Sequence, residues 1–274
     1  MEKTAAGKLK IRTYEIETDR FRREDPSLKL ALLADLHNRL WGEEQSLLLG
    51  AIKGLGPDMV LCAGDMLVAK GREERMEHAL TLFRGLQKMG LPVIASNGNH
   101  ESRMRQCPER YGDLYGRYAS ALRDAGVRIL SDETATFRHG GGEAAIHGYE
   151  MSLAYYRKPL QPAYDRTELT RRFGGTGDGR YHILMAHNPV YFDDYAAWGA
   201  DLTLAGHLHG GIVRIPGVGG VITPQAKLFP KYDRGLFRKG EHYMVVSAGL
   251  GEHTVPIRIF NPPELILITV KGAA

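Results

Sequence analysis

Five short apolar runs, each stopping abruptly at a polar side chain of a kind that binds metal, constrain this 274-residue chain more than any other feature. Run 28–34 ends at Asp35, run 59–63 at Gly64-Asp65, and run 93–96 at Asn97-Gly98-Asn99-His100. Run 181–186 ends at His187 and run 201–205 at Gly206-His207. Apolar runs of about 4 to 8 residues with little polar alternation read as strands covered on both faces. Between the early runs lie helical stripes: Leu47, Leu48, Ala51, Ile52 and Leu55; Met76, Ala79, Leu80, Phe83 and Leu86; and Tyr111, Leu114, Tyr115, Tyr118, Leu122 and Ala125, closed by Gly126 as a C-cap. Alternating strands and helices give βαβ units and a parallel sheet, whose ligands collect at the carboxyl ends of its strands, where all five polar stops fall. The second half offers strand-like pieces at 143–149, 211–215, 243–247 and 265–270 with fewer helices, which implies a second sheet packed on the first. One domain over 1–274 is expected, with its core at about 28–270 and residues 1–27 as an N-terminal extension or edge strand.

Composition narrows the function. Hydrophobic residues at 43% and charged residues at 25% suit a chain that buries a core and exclude disorder. The net charge is only +4, and Lys and Arg are scattered in short segments, so a nucleic-acid partner is not expected. Two cysteines make no disulfide framework, and Cys62 sits inside an apolar run as a small buried hydrophobe. Residues 1–25 are polar throughout, and no apolar run approaches the roughly 18 residues of a membrane span. A cytoplasmic location, with peripheral membrane contact at most, is the expectation. Gly174 to Gly179 form a glycine-rich loop that opens no helix and so lacks the setting of a nucleotide-binding loop. A second long loop, 217–240, follows His207 and His209 closely enough to form a rim of their site.

Singly, each polar stop is weak evidence. Asp35 and His37, two apart, reach one metal if the chain stays extended beyond its strand. In order, Asp35-Leu36-His37, Gly64-Asp65, Gly98-Asn99-His100-Glu101, His187 and Gly206-His207-Leu208-His209 resemble the calcineurin-like metallophosphoesterase family, from about Leu28 to the C-terminus. The resemblance implies a four-layer αββα sandwich of two mixed β-sheets flanked by helices, with a binuclear metal site at the strand ends. It implies that Asp35, His37, Asp65 and His209 hold one ion and that Asp65, Asn99, His187 and His207 hold the other, Asp65 bridging. His100 would face the substrate phosphate, with Glu101 as its orienting partner. The implied reaction is hydrolysis of a phosphodiester, or secondarily a monoester, by a hydroxide bridging the metals. Four imidazoles, two carboxylates and an amide oxygen suit two divalent ions of Mn, Fe or Zn, with Co or Ni serving in vitro, and are too nitrogen-rich for Ca or Mg. Two such ions leave net positive charge, which favours an anionic phosphoester substrate, small or lipid-linked.

The chain departs from the family where many relatives carry an acid three residues after the bridging Asp; here that residue is Val68. The Asp-Arg-Gly continuation of protein serine/threonine phosphatases is replaced by Val68-Ala69-Lys70-Gly71, which disfavours a protein substrate. Residues 206–216, 221–224, 249–251, 256–258 and 261–264 resemble a bacterial phosphodiesterase branch that includes proteins like UDP-diacylglucosamine pyrophosphate hydrolase. A metal-dependent nuclease and a non-catalytic scaffold of the same fold are the alternatives. Of the remaining histidines, His182 is expected to be structural, His147 a core or edge residue, and His78, His139 and His242 exposed, while His253 follows a glycine turn that could line the pocket.

Overall fold

The computed structural model describes residues 8–70, 76–157, 162–211, 213–215, 219–222, 229–252 and 258–273. In chain order the elements are β1 (Lys10–Thr18), β2 (Leu28–Leu33), α1 (Ser46–Leu55), β3 (Met59–Ala63), α2 (Glu77–Lys88), β4 (Val93–Ser96), α3 (Asn99–Gln106), α4 (Pro108–Tyr111), α5 (Leu114–Asp124) and β5 (Arg128–Leu130). Then come β6 (Glu133–His139), β7 (Gly142–Tyr149), α6 (Glu168–Phe173), β8 (Tyr181–Ala186), α7 (Phe192–Trp198), β9 (Leu202–Ala205), β10 (Val213–Ile215), β11 (Gly219–Ile222), β12 (Gly235–Lys239), β13 (His242–Val246) and β14 (Glu264–Gly272). One sheet runs β1-β14-β2-β3-β4-β5 and the other β12-β13-β9-β8-β7-β6, with β10 and β11 forming a separate hairpin.

Within the first sheet β2 to β5 are parallel, and within the second β7, β8, β9 and β13 are parallel. Because side chains alternate across a strand, each run feeds two cores. Leu30 and Leu32 of β2, Leu61 of β3, Ile183 and Met185 of β8 and Leu204 of β9 meet between the sheets. Ala31 and Leu33 of β2 and Val60 and Cys62 of β3 face outward, onto Leu48, Ile52, Phe83 and Leu122 of α1, α2 and α5. On the far side Leu184 and Ala186 of β8 meet Leu169 of α6 and Tyr195 of α7. The result is two mixed sheets covered by helices, the four-layer arrangement expected.

Some expectations change. Leu47 is exposed at 63%, because α1 turns its Leu48 and Ile52 inward. The stripe from Tyr111 to Ala125 is not one helix: Gly112, at φ 62°, breaks it into α4 and α5. Gly126 does close α5 in the left-handed conformation that suits glycine after a helix. Residues 1–27 contain β1, an edge strand parallel to β14. The segment expected as one loop at 217–240 contributes β11 and β12; residues 223–228 lie outside the described set.

Candidate metal centre

Every polar stop lies just past the carboxyl end of its strand, and the two sheets bring these ends together. Asp35 follows β2, Asp65 follows β3, His187 follows β8, and His207 and His209 follow β9. Asn99 and His100 open α3, three and four residues past β4. The sheets are stitched here by the chain after β13, where Leu250 N–H donates to the Ala34 carbonyl at 3.0 Å and Gly251 N–H to that of Asp35 at 2.6 Å. Close approach needs small residues. A side chain on Gly98 would collide with the Asp65 carboxylate, and one on Gly206 with that of Asp35.

Three groups of side chains bring candidate ligand atoms within 4.8 Å of one another: Asp35, His37 and His209; His37, Asp65 and His100; and Asp65, His187 and His207. Nε2 of His209 lies 3.3 Å from Asp35 Oδ1, and Nε2 of His37 lies 3.7 Å from both Asp35 Oδ1 and Asp65 Oδ2. Nε2 of His187 lies 3.0 Å from Asp65 Oδ2 and 3.7 Å from Asp35 Oδ1. All of these residues are buried.

Hydrogen bonds outside the cluster set the ring tautomers. His187 Nδ1 sits 2.6 Å from the Ala63 carbonyl and His37 Nδ1 3.0 Å from the Glu252 carbonyl. A carbonyl only accepts, so each Nδ1 carries the hydrogen and each Nε2 turns a lone pair toward a carboxylate. An imidazole lone pair 3.0 Å from a carboxylate oxygen needs a cation or a proton between them. Asn99 Oδ1 is likewise buried and meets no hydrogen-bond donor among the described residues. These features, with the mixed N/O donor set, fit divalent metal. His100 is the reverse: Ala69 N–H donates to its Nδ1 at 2.8 Å, so its hydrogen is on Nε2, 4.0 Å from Asp65 Oδ2. Although close enough to count with His37 and Asp65, His100 presents a donor to the site where those two present acceptors.

The backbone is strained at the candidate site residues. Eleven described non-glycine residues have positive φ, and Asp35, His37, Asn38, Asp65, His207 and His209 are among them. Such conformations cost about 1–3 kcal/mol each and persist where surrounding structure holds them for a purpose. The chain at Asp35 and His37 is therefore not extended, as the two-residue spacing suggested; left-handed turns aim both side chains into one cavity.

Electrostatics follow from burial and pairing. Burial alone would lower His187, but Asp65 and Asp35 lift it to about 10. Burial pushes His209 down to about 4, despite Asp35, and His207 well below the ordinary imidazole value. Burial, reinforced by Asp65, raises Glu101 to about 7. Glu101 is buried and does not orient the His100 ring: its carboxylate accepts the backbone N–H groups of Asp65 at 2.9 Å, Leu67 at 3.0 Å and Gly98 at 3.0 Å. It is a positioning residue that ties the Asp65 turn to the start of α3.

Tyr156 carried no signal in the sequence, and Arg258 entered only within the resemblance of residues 256–258. Tyr156, in a weakly patterned stretch, sets its ring 4.8 Å from that of His207. Arg258 is largely buried and donates to the Ala248 and Gly249 carbonyls at 2.8 and 3.3 Å, behind His209. His78 is half-buried and donates to the Asn38 carbonyl at 2.6 Å, bracing the His37 turn. His139 and His242, expected to be exposed, are also half-buried and bind the Pro26 and Ala200 carbonyls. His147 and His182 are core residues, linked Nε2 to Nδ1 at 3.0 Å. His253 lies outside the described residues.

Strand ends carrying this donor set, in a sandwich of two sheets, define a metal-dependent hydrolase. Residues 28–211 match the calcineurin-like phosphoesterase family, and the chain belongs to it: it is a metal-dependent phosphoesterase acting on phosphoric esters. It is similar, at 26% identity over 281 aligned positions, to the uncharacterised protein YpbG of Bacillus subtilis, covering 99% of this chain and 91% of that one. It is 25% identical over 269 positions to an uncharacterised metallophosphoesterase of Aquifex aeolicus, with 96% and 92% covered. It is also 27% identical over 247 positions to the phosphodiesterase YaeI of Escherichia coli, with 88% and 81% covered. No helix among the described residues is long and apolar enough to cross a membrane.

Proposed function

We propose that this phosphoesterase hydrolyses phosphodiesters with two divalent ions, one held by Asp35, His37, Asp65 and His209 and the other by Asp65, Asn99, His187 and His207. The observation that carries this reading is the His187 Nε2 lone pair facing Asp65 Oδ2 at 3.0 Å within the group Asp65, His187 and His207, beside a second group of Asp35, His37 and His209. Two ions suit in-line displacement at phosphorus, since together they lower the pKa of a water and neutralise charge on the phosphoryl oxygens.

The chain's own residues do the rest. Asp65 commits Oδ1 to the His100 backbone N–H at 2.8 Å, leaving Oδ2 for the site. Asp35 accepts the His207 backbone N–H at 3.1 Å, which fixes its carboxylate plane. His100, held as the Nε2–H tautomer by Ala69, donates to a phosphoryl oxygen or to the departing oxygen. The diester preference is supported by likeness to a phosphodiesterase. Mn, Fe or Zn are the ions expected, and the substrate is a small or lipid-linked phosphoester.

A screen of metal-reconstituted protein tests the reading, comparing bis-aryl phosphate, aryl phosphate, cyclic nucleotides and nucleotide-sugar lipids with Mn, Fe and Zn. The reading expects Mn-stimulated diester hydrolysis to exceed monoester hydrolysis. No hydrolysis of any ester by fully loaded protein would favour a metal-binding scaffold instead.

A further inference from the structure

Tyr156 stands where none of the proposed ligands does, on the wall of the His187–His207 half of the centre. Its ring meets that of His207 edge to face, 4.8 Å between centroids at 78°, and lies 6.3 Å from that of His187. Its placement is built in. Tyr155, its neighbour in a short 3-10 turn (Leu153–Tyr156), points the other way into a cluster of buried aromatics, 5.2 Å from the Tyr191 ring and 5.5 Å from that of Tyr164. The Tyr155 hydroxyl donates to Glu168 at 3.3 Å. Asn188, the residue after His187, donates to the Tyr155 carbonyl at 3.2 Å, and Tyr195 donates to the Asn188 carbonyl at 2.8 Å. The turn that carries Tyr156 is therefore tied to the strand end that carries His187, and the phenol keeps its position relative to that half of the centre. Tyr156 itself is only half-buried.

The geometry points to Tyr156 as a substrate-binding residue whose hydroxyl donates a hydrogen bond to a non-bridging oxygen of a phosphoryl group seated on the Asn99–His187–His207 side, across the centre from His100. The assignment rests on the two-ion phosphoesterase reading of the same site. A phenol, with an ordinary pKa of about 10, is a protonated donor at neutral pH. Two donors would then flank the phosphoryl group, one at each half-site. A neutral donor binds an anionic oxygen without adding a charge that would have to be buried when the site is empty.

Tyr156→Phe removes the hydroxyl and keeps the ring on His207; Tyr156→Ala removes both. Metal content by elemental analysis, inorganic phosphate affinity by calorimetry, and hydrolysis of bis-aryl phosphates with leaving groups of graded acidity are measured on metal-loaded wild type and both variants. The expected result is unchanged metal content in Tyr156→Phe, phosphate affinity about 10-fold weaker, and turnover lowered by about the same factor for every leaving group. Phosphate affinity and turnover at wild-type levels in Tyr156→Phe overturn the assignment, as does loss of metal, which would make the phenol a support for His207. A turnover loss that grows as the leaving group becomes more basic also overturns it, by moving the contact to the departing oxygen. Wild-type protein that binds phosphate but hydrolyses nothing refutes the catalytic reading alone, and the affinity comparison still decides the role of Tyr156.

Discussion

At the scale of single residues, the candidate site separates histidines that offer a lone pair from one that offers a hydrogen, by hydrogen bonds that reach far along the chain. His37 and His187 are fixed as Nδ1–H tautomers by the carbonyls of Glu252 and Ala63, whereas His100 is fixed as Nε2–H by the Ala69 amide. His100→Ala is therefore expected to keep the wild-type metal content, measured by elemental analysis, while kcat falls by about 10²–10³-fold, the usual loss for a positioned proton donor. Loss of metal from that variant would make His100 a ligand. The candidate site residues were legible in the sequence because each lies at or just past the end of an apolar run. The tautomers were not, since Ala63 is 124 residues from His187 and Glu252 is 215 from His37. Nor were the left-handed turns at Asp35, Asp65 and His207, which non-glycine residues do not announce.

At the scale of elements, the short helix α3 delivers Asn99 and His100 together, and Glu101 locks it to the turn after β3. Three backbone amides, those of Asp65, Leu67 and Gly98, converge on that one buried carboxylate. Glu101→Ala would leave them unsatisfied, at roughly 1–3 kcal/mol for each buried donor that finds no water. The expected outcome is a fall in Tm of several degrees, read by calorimetry, together with weaker metal binding; unchanged Tm and metal affinity would contradict the role. The strands that lead into the candidate site were readable from their unbroken apolar character. Strands β6 and β12 were not, because both are edge strands, β6 mixing exposed and covered positions and β12 having no buried residue, which resembles loop composition. Tyr156 escaped notice because a four-residue turn has no periodicity to detect.

At the scale of the whole molecule, two mixed sheets packed face to face turn five separate strand ends into one charged pocket, and the charge balance couples that pocket to pH. In metal-free protein Asp65 and Asp35 raise His187 to about 10, and Asp65 leads in raising His37 against burial. A base raised in the folded state stabilises the fold fully below its unfolded value of about 6.5, and that contribution is lost as pH climbs through the folded value. Metal takes the place of the proton and removes the loss. The Tm gained on adding Mn should therefore grow from pH 6.5 to pH 9, and loading near pH 7 should release protons, seen by calorimetry in buffers of different ionisation enthalpy. A metal-induced Tm gain that shrinks over that range would contradict this balance.

Metal stoichiometry and turnover in wild type and Asp65→Asn decide whether Asp65 joins two ions into one hydrolytic centre. Wild-type protein loaded with Mn should hold two ions per chain and hydrolyse bis-aryl phosphate, while Asp65→Asn, an isosteric change that removes the shared charge, should lose metal and at least about 10²-fold of the turnover. Wild-type loading and wild-type turnover in Asp65→Asn would contradict the account.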